Sequence, residues 1–208
     1  MSLYPSFEDF RALARGAGLV PVSRSMLFDT QTAVTAYARL ARPPFGFLLE
    51  SVVGGETWAR YTFLGTEPRE AWRLSGSRID RWTRGSGWTD GGEVENPLAD
   101  LEIDLLRATP ASVPGLPRFW GGWVGFFGYD MIRRIERLPD APPATLDLPD
   151  ALFMRTGAVV AIDNLFGRAH VIVPVETTGA DEGELRRLYD EAAAEIEEVE
   201  GRLGSGPD

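Results

Sequence analysis

A carboxylate, a hydroxyl and a guanidinium occur close together where two predicted strands meet. Glu50 and Ser51 end the first predicted strand, and Arg60 begins the second. An ammonium group can donate hydrogen bonds to a carboxylate, and a guanidinium can pair with a carboxylate of a ligand. The three side chains could therefore bind a zwitterionic amino acid. They are also compatible with an ordinary hairpin that carries only a solvated Glu–Arg pair.

No other part of the chain shows a pattern typical of a catalytic or metal site. His170 is the only histidine, and it lies in an apolar run without a suitably spaced serine or aspartate. A lone imidazole lacks the second base or ligand that such chemistry needs, so a structural role is expected. Arg133, Arg134 and Arg137 could receive an acidic partner or form a solvated helix face. We predict no catalytic and no metal-binding residue.

Composition excludes several classes of function. The net charge is −10 and no basic run is present, which argues against partners such as nucleic acid or an anionic membrane. All 21 basic residues are arginines, so no lysine is present for a phosphate-binding loop or a Schiff base. The chain also has no cysteine. No apolar run is long enough to cross a membrane and no signal peptide is evident, which predicts a cytoplasmic protein.

Short apolar or alternating runs separated by turn residues predict an antiparallel sheet. The predicted strands are residues 47–53, 60–65, 71–74, 78–83, 119–126, 152–162 and 168–175. The last two form the clearest hairpin, because the turn sequence Asn164 to Gly167 joins them. The aromatic residues expected to be mostly buried are Phe47, Phe63, Trp123 and Phe126.

Capping residues and apolar stripes predict the helices. The proposed N-caps are Ser6, Thr30 or Thr32, and Asn96. A short arginine-rich helix is predicted over residues 131–138, and the longest helix over residues 181–203. The predicted fold class is therefore α+β, with helices packed on antiparallel sheet. A single domain is predicted for residues 1–208.

Four sequence blocks occur in an order that resembles a known family. They are LLESVVGG, ARYTFLGTEP, GGWVGFFGYDMIRRIERLP and PDALFMRTGAVVAIDN. With the opening segments YPSFEDFRALA and LVPVSRSMLFDTQTAV, they resemble the N-terminal region of anthranilate synthase component I. The resemblance extends over nearly the whole chain, to about residue 200.

The resemblance implies a lyase of tryptophan biosynthesis, which converts chorismate to anthranilate. Its ammonia would come from a partner, the glutamine amidotransferase subunit (component II). Chorismate and Mg²⁺ would bind in a C-terminal chorismate-binding domain that is absent from residues 1–208. No cofactor is therefore expected in this chain, which would be inactive alone and would form a regulatory domain.

The resemblance also implies an allosteric site for L-tryptophan, the feedback inhibitor. The Leu-Leu-Glu-Ser segment of the family lines that pocket, which here corresponds to Glu50 and Ser51. A basic residue also belongs to the pocket, and Arg60 is the candidate. The other wall, an Asn-Pro-x-Pro-Tyr-Met type of segment, is missing from this sequence.

Two alternatives remain open at this stage. Aminodeoxychorismate synthase component I, of the folate pathway, shares the same region more loosely. The chain is also compatible with a free-standing amino-acid-binding or scaffold domain that never meets a catalytic half. The sequence of the gene downstream would separate these possibilities.

Overall fold

The computed structural model describes residues 2–50, 60–140 and 146–204. The helices are α1 (Phe7–Ala14), α2 (Ala33–Leu40), α3 (Pro97–Leu105) and α4 (Glu182–Gly204), with a 3₁₀ helix at Tyr129–Arg134. The strands are β1 (Leu19–Leu27), β2 (Gly46–Leu49), β3 (Tyr61–Thr66), β4 (Glu70–Ser75), β5 (Arg78–Thr83), β6 (Gly87–Glu93), β7 (Trp123–Phe127), β8 (Ala151–Arg155), β9 (Val159–Asp163) and β10 (Arg168–Glu176). They form two five-stranded antiparallel sheets, which confirms the predicted α+β class.

The chain forms two compact units, each with its own sheet. Unit 1 contains Met1–Pro68, Arg107–Gly122 and Thr156–Asp208. Unit 2 contains Arg69–Leu106 and Trp123–Arg155. The sequence predicted a single domain for residues 1–208. The structure instead groups these residues into two units, and the chain crosses from one unit to the other four times.

In unit 1 the strand order is β1-β10-β9-β3-β2. Helices α1, α2 and α4 pack on this sheet. Helix α4 contributes its whole apolar stripe to the core, through the buried residues Leu185, Tyr189, Ala192, Ile196, Val199 and Leu203. This stripe confirms the amphipathic pattern predicted for residues 181–203, because apolar residues three and four apart share one face of a helix.

Local signals place the ends of the helices. The Ser6 hydroxyl accepts a hydrogen bond from the Asp9 amide at the start of α1, and Thr32 caps α2 in the same way. Asn96 caps α3, with Pro97 at its first position. Each of these side chains satisfies an amide that has no partner within its helix, as the sequence predicts.

In unit 2 the strand order is β6-β5-β4-β8-β7. Strands β4, β5 and β6 form a β-meander, and the core consists of Trp72, Leu74, Ile79, Leu101, Met131 and Ala151. The predicted helix at residues 131–138 is instead a 3₁₀ helix at Tyr129–Arg134. It begins two residues earlier and ends four residues earlier than the apolar and arginine pattern suggested.

The single strand predicted over residues 152–162 is wrong. The structure divides it into β8 and β9, which belong to different sheets. Gly157 lies at the break, where a Cβ atom would come 2.6 Å from the carbonyl oxygen of Glu67. Glycine permits this close approach of two backbone segments, so the apolar run is interrupted at a point that its hydrophobicity does not reveal.

The predicted burial of the four aromatic residues is confirmed only in part. Phe47 is buried, and Phe63 and Trp123 are half-buried. Phe126 is 45% exposed, so its predicted burial is wrong. It lies on β7, an edge strand of its sheet, where a side chain has a neighbouring strand on one side only.

Candidate functional site

Arg60 and Asp163 form an ion pair in unit 1. Asp163 ends β9 and lies directly opposite Tyr61 of β3, so Arg60 immediately precedes its sheet neighbour. The Arg60 Nε atom donates to both carboxylate oxygens of Asp163 at 3.1 Å, and Nη2 donates to Oδ2 at 2.6 Å. Only 2% of Asp163 is exposed, so the guanidinium compensates a carboxylate that has been removed from water.

The pair changes the ionisation of both partners. Burial disfavours the charged form of Asp163, but the hydrogen bonds and charge of Arg60 outweigh it and lower the pKa of that carboxyl. The hydrogen bond to Asp163 raises the pKa of Arg60. The guanidinium carbon lies 4.9 Å from the ring centre of Tyr61 and 5.0 Å from that of Phe166. Arg60 is therefore oriented by one carboxylate and two aromatic rings.

A cavity of about 460 Å³ opens beside this pair. Its lining residues are Phe28, Asp29, Gln31, Thr32, Ala33, Glu50, Ile162, Asp163, Asn164 and Gly167. Phe28, Ala33 and Ile162 belong to the buried core and give the cavity an apolar wall. An apolar wall combined with a few polar groups is the usual composition of a small-molecule site, and this volume is within the usual range.

Most of the polar lining already has partners. The amide of Gln31 donates to the carbonyl of Leu203 at 3.1 Å, and Asn164 donates to the Thr62 hydroxyl at 3.1 Å. By contrast, the carboxylates of Asp29 and Glu50 make no hydrogen bond or ion pair with any residue in the described ranges. Two residues that line the cavity therefore carry carboxylates without a described partner, and a carboxylate accepts hydrogen bonds from a group that carries donors.

Of the three predicted site residues, only Glu50 is among the described residues that line the cavity. Glu50 lines the cavity at the end of β2. Ser51 lies outside the described residues. Arg60 is not among the described lining residues, but its partner Asp163 is. Within the described residues Glu50 and Arg60 form no ion pair, and Arg60 pairs with Asp163 instead.

Sequence reasoning missed Asp163 and Asp29 as parts of this region. Asp163 is separated from Arg60 by 103 residues in the chain, so no local spacing links them. The sequence feature that could have identified Asp163 is its position beside Asn164, at the end of an apolar strand and the start of the hairpin turn. Polar residues at a strand end often mark a site, but here the sequence gave them only the role of a turn.

His170 occupies a strand position opposite Ser25 of β1 and Ala161 of β9. Burial lowers the pKa of its imidazole, Asp163 opposes this shift, and Arg168 and Arg60 reinforce it. The ring is therefore uncharged at neutral pH. This environment suits the structural role that the sequence predicts for a lone histidine.

The described part of the chain contains neither a metal-ligand cluster nor a membrane-spanning helix. No group of three or more His, Cys, Asp or Glu side chains there is arranged to hold a metal ion. No helix within those residues combines the length and apolar character needed to cross a membrane.

Comparison with curated proteins identifies a consistent set of relatives. Anthranilate synthase component 1 of Pseudomonas putida is 41% identical over 184 residues, which cover 86% of this chain and 37% of the relative. The Pseudomonas aeruginosa protein of the same name is 41% identical over 203 residues, covering 94% and 39%. That of Mycobacterium tuberculosis is 40% identical over 205 residues, covering 96% and 39%. The chain thus spans about two fifths of the length of these relatives.

Comparison with solved structures finds a similar fold in a protein of the same name as these relatives. The crystal structure of anthranilate synthase component I from Streptococcus pneumoniae matches with a TM-score of 0.50 and 22% identity. The match covers 83% of this chain and 36% of that protein. No protein-family model matches the sequence.

Proposed function

Because the chain is homologous to the N-terminal region of anthranilate synthase component I, we propose that it forms part of an L-tryptophan feedback site. In this proposal it is the regulatory region of a lyase that converts chorismate to anthranilate in the cytoplasm. The partner would be a glutamine amidotransferase subunit that supplies ammonia. The reaction itself would take place in polypeptide beyond the matched region of the longer relatives.

The observation that carries the proposal is the position of Glu50. Glu50 lines a cavity that has an apolar wall, and its carboxylate has no partner among the described residues. An α-ammonium group needs such an acceptor, and an indole ring needs an apolar surface. Glu50 therefore receives the ammonium group of L-tryptophan in the proposed complex.

Only part of the Arg60 guanidinium is available to a ligand in this proposal. Asp163 occupies its Nε and Nη2 atoms, while Nη1 makes no hydrogen bond to any residue that the structure describes. We assign Nη1 as the donor to the ligand's carboxylate, with Asp163 fixing its orientation. Ser51, next to Glu50 in the chain, is assigned a hydrogen bond to the same ligand.

Mg²⁺ belongs to the proposed reaction but has no assigned site in this chain. The described residues offer no cluster of carboxylates or imidazoles that could hold it. When bound elsewhere in the enzyme, the ion would supply charge stabilisation to the carboxylates of chorismate. The residues of this chain act only on the inhibitor in our proposal.

The proposal is tested by Glu50→Gln in a full-length component I that contains this region. Anthranilate fluorescence would be followed with chorismate, ammonia and Mg²⁺ while L-tryptophan is titrated. We expect at least a tenfold rise in the inhibitory concentration, because the ammonium group loses a charged acceptor. Glu95→Gln is the matched control, since Glu95 is exposed and lies outside the cavity. Equal inhibition of the Glu50 variant and the wild type would contradict the proposal.

A further inference from the structure

The last turn of α4 is tied to the wall of the cavity. The carbonyl oxygen of Leu203 accepts hydrogen bonds from Arg39 Nη1 at 2.7 Å and from Gln31 Nε2 at 3.1 Å. Arg39 Nη1 also donates to the Gln31 side-chain oxygen at 2.6 Å. We call these three residues the α4 clamp. It satisfies a helix-end carbonyl that has no partner within its own helix, and it places a cation at the negative end of α4.

Gln31 belongs to the clamp and to the cavity at once. It lines the cavity together with its chain neighbour Thr32, which caps α2. The same side chain reaches the α4 end through its amide nitrogen. A change in the position of the segment 28–33 would therefore break a hydrogen bond at Leu203, whose side chain is fully buried.

Contacts outside the clamp also hold α4, including its last two turns. Arg24 pairs with Glu200 at 2.7 Å, and Arg202 pairs with Glu67 at 2.8 Å. Glu195 accepts a hydrogen bond from the amide of Ala158 at 3.2 Å. Their partners Arg24, Glu67 and Ala158 do not line the cavity. Among the described hydrogen bonds and ion pairs of α4, only the one from Gln31 to the Leu203 carbonyl involves a residue that lines the cavity.

We propose that the α4 clamp couples occupancy of the cavity to the order of the last turn of α4. A ligand that contacts the segment 28–33 holds Gln31 in the orientation that caps Leu203, so binding stabilises the helix end. By linkage, an ordered helix end favours binding by the same factor. This inference rests on the proposed function for the identity of the ligand, L-tryptophan, whereas the link between the two segments rests on the contacts alone.

Amide hydrogen exchange of the 208-residue chain tests the link without any ligand. Arg39→Ala removes the cation of the clamp, and Gln31→Ala removes its contact with the cavity wall. We expect exchange of the amides in residues 200–204 to rise about tenfold in Arg39→Ala, since Leu203 loses a charged donor, and by a smaller factor in Gln31→Ala, where it loses a neutral donor. Residues 28–33 should also exchange faster. Arg15→Ala is the control, because Arg15 lies at the end of α1 and outside the clamp.

The ligand arm uses a full-length component I and L-tryptophan. In the wild type, we expect saturating L-tryptophan to slow exchange in both segments. In Arg39→Ala, L-tryptophan should still slow amide exchange in residues 28–33 but should no longer slow it in residues 200–204. Unchanged exchange at 200–204 in both clamp variants would overturn the inference, as would protection of the wall without the helix end in the wild type.

The two proposals fail in different ways. If calorimetry of a full-length component I detects no L-tryptophan binding, the proposed function fails, and the exchange of the ligand-free variants then decides the link by itself. Faster exchange in both residues 28–33 and residues 200–204 supports the link between the cavity and the helix end. Faster exchange in only one of the two segments overturns it.

Discussion

The guanidinium of Arg60 and the carboxylate of Asp163 join residues 103 positions apart through hydrogen bonds of 2.6 to 3.1 Å. The pair connects the start of β3 to the end of β9, two neighbouring strands of the unit 1 sheet. Asp163 also lines the cavity that contains Glu50. The position of Arg60 relative to the cavity therefore depends on a residue that the chain supplies from a distant segment.

Replacing Asp163 with asparagine should lower the melting temperature of the chain by a few degrees. The substitution removes the charge that compensates Arg60 while keeping a hydrogen-bond acceptor. The effect is limited because about a third of the Arg60 side chain is exposed and can be hydrated. Asp147→Asn, at an exposed position, is the control for a lost carboxylate. Equal melting temperatures for Asp163→Asn and the wild type would show that the pair does not contribute.

The same pair predicts how stability depends on acid pH. The pKa of Asp163 is lowered in the folded chain, so its ionised form stabilises the fold above the ordinary value of 3.8. That contribution is lost as the pH falls through the folded pKa. The difference in melting temperature between the wild type and Asp163→Asn should therefore shrink below about pH 4. A difference that stays constant from pH 7 to pH 3 would contradict this assignment.

His170 gives a second pH dependence, at a higher pH. Burial lowers its pKa, so the unfolded chain binds a proton more readily than the folded chain. Above about pH 6.5 the imidazole is neutral in both states and does not reduce the free energy of unfolding. That free energy decreases as the pH falls from 6.5 towards the folded pKa. The groups that modify this pKa are Asp163, Arg168 and Arg60.

A His170→Gln variant should lack this decrease, which thermal melts between pH 7.5 and pH 5 would detect. Because the chain has a single histidine, the titration of its imidazole protons by NMR gives the folded pKa directly. A measured value above 6.5 would contradict the effect of burial. Parallel melting curves for the two proteins over this range would do the same.

The core of unit 1 should be sensitive at Ile196. This α4 residue is fully buried among the side chains of the core, so Ile196→Ala leaves a cavity. Isoleucine-to-alanine changes of this kind cost about 2–5 kcal/mol in the free energy of unfolding. Urea unfolding of Ile196→Ala would measure the loss. Val34→Ala, at a position 60% exposed on α2, should change the unfolding free energy by much less.

Local patterns in the sequence predicted the parts of the fold that local physics determines. The β9–β10 hairpin follows from valine-rich and isoleucine-rich runs around a turn, and α4 follows from its apolar stripe. The division of residues 152–162 was not predictable, because Gly157 breaks the run through a contact with Glu67, 90 residues away in the chain. Glu50 was identified from the strand end and the family resemblance. Asp163 and Asp29 were not, because only the folded sheet brings them to the cavity.

The chain alone should not convert chorismate to anthranilate. The described residues provide no cluster of carboxylates or imidazoles that could hold the Mg²⁺ of the proposed reaction. Incubation with chorismate, ammonia and Mg²⁺ should therefore give no more anthranilate fluorescence than a sample without protein. A full-length component I serves as the positive control. A rate proportional to the concentration of this chain would contradict the prediction.

Isolated residues 1–208 should also bind L-tryptophan weakly, because the resemblance places the other wall of the pocket in a segment that this sequence lacks. Calorimetry should show no binding in the micromolar range. A micromolar dissociation constant would mean that the cavity beside Glu50 forms a complete site by itself.

Ser51 lies outside the described residues, but its place in the sequence predicts a role in inhibition. It directly follows Glu50, which lines the cavity, and it belongs to the segment that resembles the family's inhibitor pocket. In a full-length component I, Ser51→Ala should weaken inhibition by L-tryptophan and leave the uninhibited rate largely intact. One lost hydrogen bond costs about 0.5–1.5 kcal/mol, or up to about 3 kcal/mol if a charged ligand group loses its partner. The inhibitory concentration should therefore rise about tenfold, and up to a hundredfold in the second case.

A purely structural role for Ser51 gives a different result. If the hydroxyl only satisfies the backbone at the end of the strand, its loss lowers the melting temperature and leaves inhibition per folded molecule unchanged. Titration of L-tryptophan against both proteins, with a thermal melt of each, separates the two roles. An unchanged inhibition midpoint together with a lowered melting temperature would exclude Ser51 from the inhibitor site. A raised midpoint with an unchanged melting temperature would assign its hydroxyl to the ligand, because feedback inhibition requires that weaker binding raise the concentration needed to inhibit.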